Sequence, residues 1–166
     1  MTAASKVLDS AGVEGLRLGS FGNCLVTVWS GEAVRATIDA INDCSAKLLT
    51  RWPDGITLLV VIEQGCPMPN SEQRRDLDQY YVNMGSHLRA VAQVVEGGNV
   101  WAVMARSVFT AVRLVQKTAY PMKVFASAAE GAEWLADHVT TGEGAGPGQV
   151  RAGLLNCVGM LRGPAE

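Results

Sequence analysis

The chain has 166 residues, 48% of them hydrophobic and 18% charged, with a formal net charge of −2. That length suits one domain with extensions, and so apolar a composition excludes a chain disordered throughout. The ten Arg and four Lys form no run, which sets aside a nucleic-acid binder with a basic stripe.

Leu16–Phe21 and Cys24–Trp29 read as two strands joined by Gly22-Asn23, a pair suited to a tight hairpin. Glu32 to about Trp52 is then helical, because Val34, Ile38, Ile41, Ser45, Leu48 and Trp52 recur at three- and four-residue steps. Pro53-Asp54-Gly55 ends it. Ile56–Ile62 is an unbroken run of apolar and β-branched residues, the pattern of a strand covered on both faces. It is expected to be central and buried.

Asn70 or Ser71 caps the next helix, with Gln73 completing a capping-box pattern; Leu77, Tyr81, Met84 and Leu88 form its apolar face. Ala90–Val95 is a short strand. Asn99 caps a helix from Val100 to about Thr118. Tyr120–Ala126 is the last strand, and Ser127 caps the last helix of the domain, with Trp134-Leu135 on its buried side. The order β-β-α-β-α-β-α-β-α implies an α/β fold with a mixed, mostly parallel sheet. The domain is placed at residues 1–139, a Gly-rich linker at 140–149, and a docking segment or tail helix at 150–166. On such a leash the tail is expected to be dispensable for folding.

No basic segment followed by an apolar run opens the chain, and no apolar stretch is long and uncharged enough to cross a bilayer. Cys24, Cys44, Cys66 and Cys157 suit neither a zinc site nor a disulfide framework. A cytoplasmic protein with free thiols is therefore expected.

Val28-Trp29-Ser30-Gly31, Leu58–Glu63, Lys123-Val124-Phe125 and Ala129–Leu135 together resemble the SpoIIAA-like branch of the STAS domains, over residues 16–139. The resemblance implies a non-enzymatic module: a regulatory partner of other proteins, or a holder of small, often apolar ligands. Where phosphorylated members carry an Asp-Ser pair, this chain has Asn70-Ser71. The missing Asp weighs against a phospho-switch.

Catalytic chemistry finds little support. His87 and His138 fall near helix C-termini, where a cation suits the helix dipole, and neither faces a carboxylate in sequence. Glu63, Cys66, Ser71, Arg74 and Arg75 surround the loop after the buried strand, where open α/β sheets bind ligands. The plainer reading pairs Glu63 with an arginine and leaves Arg74 and Arg75 solvated. No phosphate-binding glycine motif is present. No catalytic set, metal site or cofactor is assigned.

Two segments point to partners. The helix from Val100 is apolar nearly all round. Val100, Val103, Met104, Ala111 and Leu114 suit the sheet, which leaves Trp101, Val108, Phe109, Val112 and Val115 either as a core face covered by the N-terminal segment or the tail, or as an interaction face for another protein, a second copy in a homodimer, or an apolar or lipid-like ligand. In the tail, Leu154, Leu155, Val158, Gly159, Leu161 and Arg162 form a docking candidate. Its Val-Gly-x-Leu-Arg run resembles the cargo-loading peptides of encapsulins, which implies a shell protein as partner.

Overall fold

The structure is a computed structural model that describes residues 4–8, 13–99, 102–107 and 119–163. Six strands form one sheet in chain order: β1 (Lys6–Leu8), β2 (Leu16–Phe21), β3 (Cys24–Trp29), β4 (Ile56–Ile62), β5 (Leu88–Val95) and β6 (Met122–Phe125). β1, β2 and β3 pair antiparallel; β3, β4, β5 and β6 run parallel. The crossovers are α1 (Arg35–Arg51), α2 (Ser71–Met84) with a 3-10 turn at Gly85–His87, and a helical segment over residues 102–107, here α3. Two helices close the chain: α4 (Ala128–Leu135), which runs into a 3-10 turn, and α5 (Pro147–Arg162).

The pleat sends alternate residues to two cores. On one side Leu16, Leu18, Leu25, Ile56, Leu58 and Val91 pack beneath α1 and α2, which contribute Ile38, Ile41, Leu48, Tyr80 and Met84. On the other, Val26, Val28, Leu59, Val61, Ala92 and Val94 pack beneath α4 and α5. β4 sits between two parallel neighbours, as its unbroken apolar run implies. Val60 and Ile62 are half-buried: both lie at the margin of the α1/α2 core, and Ile62 also borders the cluster of Val95, Ala102 and Ala105.

The hairpin turn is built by close approach. Gly22 has φ +55°, and a Cβ there would meet Thr140 O at 2.4 Å. Asn23 ties three segments together. Its Nδ2 donates to Gly55 O, its Oδ1 accepts from Thr140 N, and its backbone N donates to Thr140 O.

Several boundaries differ from expectation: α1 opens at Arg35 and not at Glu32, β6 spans Met122–Phe125 within the expected Tyr120–Ala126, and three larger differences bear on the fold. β1 is an extra edge strand, three residues long and too short to show a period. Leu88 opens β5 instead of closing α2, because Gly85, at φ +45°, ends the helix three residues earlier. The linker is shorter than 140–149, since Pro147 takes the first turn of α5, where its missing N–H costs nothing.

The largest correction concerns the tail. α5 buries Val150, Leu154, Cys157, Val158 and Leu161 against the sheet. Glycines make room: a Cβ at Gly19 would lie 2.7 Å from Cys157 Sγ, and one at Gly153 would lie 2.3 Å from the Phe21 ring. A helix seated this closely on β2 is core, so the expectation of a dispensable tail is withdrawn.

Candidate functional site

β3, β4 and β5 end level, with Trp29, Ile62 and Val95 in register. The next residue's amide continues each ladder: Glu63 N donates to Trp29 O, and Glu96 N donates to Ile62 O. Two carboxylates, Glu63 and Glu96, therefore stand one strand apart beyond the carboxyl ends of the sheet. Arg162, the last residue of α5, lies between them. Its Nε is 3.8 Å from Glu63 Oε1, and its Nη2 contacts Glu96 Oε1. Glu63 thus pairs with an arginine, one from the tail and not from the neighbouring loop.

The remaining loop residues do not converge on Glu63. Cys66 is buried, and its Sγ donates to Gly31 O at 3.3 Å. Burial, and secondarily the Glu63 charge, push its thiol up to about 11. A thiol so placed stays protonated and unreactive at neutral pH. Asn70 caps α2 through a reciprocal pair with Gln73, each bond 2.9 Å. This leaves Ser71, Arg74 and Arg75 exposed on the first turns of α2. His87 lies at the amino end of β5, and the His138 ring packs at a tilt against Trp134 on the α4 side, with ring centres 5.0 Å apart. Among the described residues, no group of His, Cys, Asp and Glu is arranged to hold a metal ion.

α3 begins where Asn99 Oδ1 accepts from Ala102 N at 2.9 Å. Ala102 and Ala105 pack against Val95, with Ile62 and Val124 beside them. Val103 and Met104 are 51% and 62% exposed. This reverses part of the sequence reading, which turned Val103 and Met104 toward the sheet. Arg106 explains the rotation: its Nη1 donates to Val95 O at 2.9 Å and Gly97 O at 3.0 Å, so the side bearing the alanines faces inward. The expected interaction face of Trp101, Val108, Phe109, Val112 and Val115 lies outside the described residues.

In the tail, Leu154, Val158 and Leu161 are 3% exposed or less, and Leu155 is half-buried. Gly159 is exposed, and Arg162 is held by the two glutamates. Docking onto a shell through Val158 and Leu161 would require α5 to leave the sheet. What the tail offers outward is a shallow groove beside the edge strand, lined by Val7, Leu155, Asn156, Gly159, Met160 and Gly163.

Sequence reasoning missed Glu96, Arg106 and the exposed pair on α3. Glu96 carries a signal in hindsight, because it follows β5 as Glu63 follows β4. Arg106 carries none, since its bonds to the Val95 and Gly97 carbonyls are to backbone, which no side-chain pattern announces.

No helix among the described residues is long and apolar enough to cross a membrane. No protein-family model matches the chain, and no curated protein does. The chain is similar to the crystal structure of an uncharacterized protein of the DUF3478 family from Shewanella loihica PV-4, described as having a SpoIIAA-like fold. The match has a TM-score of 0.51 and 15% identity, and covers 81% of this chain and 94% of that one. A mixed six-stranded sheet with helices packed on it agrees with that likeness, and the fold of this chain is SpoIIAA-like.

Proposed function

We propose that the chain is a non-enzymatic, regulatory or scaffolding interaction module of the cytoplasm that self-associates through the surface of α3. The observation that carries this reading is Val103 and Met104, adjacent, large, apolar and more than half exposed on a helix whose inward side is alanine. Methionine adapts its shape to a partner, and apolar surface of this kind is favourable to cover.

The chemistry elsewhere supports a non-catalytic role. Burial pushes the thiols of Cys24, Cys66 and Cys157 up to about 12, 11 and 11. Glu63 is engaged by Arg162, and the histidines lie away from both. No nucleophile, base and orienting group come together among these residues. Four free, buried cysteines suit a reducing compartment.

Native mass spectrometry tests the reading. A doubled mass that reverts to single in Val103→Asp supports it, because an unpaired charge in a dry interface costs several kcal/mol. A single mass with a retained small molecule would replace it with the reading of a carrier for an apolar or lipid-like ligand.

A further inference from the structure

The turn Val95-Glu96-Gly97 is gripped from two helices. From α5, Arg162 contacts the Glu96 carboxylate. From α3, Arg106 Nη1 donates to the carbonyls on either side of Glu96. Two residues further on, the Asn99 side chain starts α3. The turn has little slack: Gly97 sits at φ +112°, and a Cβ there would lie 3.3 Å from the Gln64 side chain and 3.4 Å from Ala102 Cβ.

Arg162 also keeps two like charges apart. Glu63 and Glu96 follow residues that are paired in register, so their carboxylates stand side by side, 36% and 27% exposed. Without the guanidinium between them the two like charges would repel in a partly desolvated setting. The repulsion bears on Glu96, and through its flanking carbonyls on the arginine that sets the rotation of α3.

We propose that the Arg162 bridge between Glu63 and Glu96 couples docking of the C-terminal helix to the orientation of α3, so that the exposed Val103/Met104 surface is held in place only while α5 is seated. Arg162 and Arg106 are positioning residues in this device. The coupling gives the contact surface a means of control, and it rests on the proposed function for that use alone.

Hydrogen–deuterium exchange on the full chain tests it, in a Met104→Glu background so that self-association contributes nothing. Arg162→Ala is expected to speed exchange at the Ala102 and Val103 amides roughly three- to tenfold, with the α1 amides unchanged. Adding Glu63→Gln removes the repulsion. It is expected to restore protection at Ala102 and Val103 while the last turn of α5 stays frayed. Wild-type exchange at α3 in Arg162→Ala would overturn the coupling. So would a failure of Glu63→Gln to restore protection, since the carboxylate pair would then not be the link. Loss of self-association in Met104→Glu is a separate readout, so the two proposals fail independently.

Discussion

α3 and α5 are both rich in apolar residues, and both read in sequence as surfaces for a partner. The structure treats them in opposite ways. α5 sinks its large residues, Leu154, Val158 and Leu161, into the sheet because Gly19 and Gly153 let the two backbones approach. α3 does the reverse: Ala102 and Ala105 make the close approach, and the large Val103 and Met104 face outward. An apolar helix therefore does not reveal which side it buries. Where the small residues lie, on the helix or on the strand beneath it, decides the matter.

The largest expected effect breaks the comparison at α5. Removing residues 147–166 strips five buried side chains from the second core. At about 1.5–3 kcal/mol for each large apolar side chain, the loss rivals the whole stability of a domain, about 5–15 kcal/mol. The truncated chain is expected to lack a cooperative thermal transition, as circular dichroism would show. A melting temperature within a few degrees of the full chain would return the tail to a dispensable role. Leu154→Ala is a milder form of the same test. It should cost about 2–5 kcal/mol in urea titration, the range for cavities of this kind.

A smaller effect probes the glycines. Gly153→Ala improves helix propensity, yet the new methyl would strike the Phe21 ring. We expect a net loss of about 1–3 kcal/mol from overpacking. A gain in stability would mean that α5 sits less tightly on β2 than described.

The thiols give a pH test. Cys24, Cys66 and Cys157 are held protonated by burial, whereas in the unfolded chain they ionise near 9.0, the ordinary thiol value. The unfolded state therefore releases protons first, and stability should fall as pH rises from about 9 toward 11–12. Stability that holds level across that window would contradict the burial of these groups. Under native conditions at neutral pH, all four thiols should react slowly with a thiol reagent and quickly once denatured.

Much of the fold is legible in the sequence where local signals agree. The hairpin at Gly22-Asn23, the cap at Asn70 with Gln73 and the cap at Ser127 each carry a turn or cap residue beside a patterned segment, and β4 is legible as an unbroken apolar run. What escaped depends on long-range packing. β1 is too short to carry a pattern, and Leu88 suits a helix face as well as a strand start. The tail was misjudged because its Gly-rich approach suggests a leash, whereas the fit of α5 is written in Gly19 and Phe21, far away in the chain. The strand-end loop is half legible: the position of Glu63 after a buried strand marks it, but its partner Arg162 lies about a hundred residues on, at the end of the last helix.

The smallest structural effect, and the sharpest functional one, belongs to α3. Met104→Glu changes an exposed side chain, so folding stability should move by no more than about 0.5 kcal/mol. Sedimentation velocity over a dilution series of wild type, Met104→Glu and Leu154→Ala tests the contrast between the two helices most directly. Wild type is expected to be a dimer, Met104→Glu a folded monomer, and Leu154→Ala a dimer of reduced stability. A wild type that stays monomeric at every concentration, or a dimer lost in Leu154→Ala but kept in Met104→Glu, would contradict that contrast.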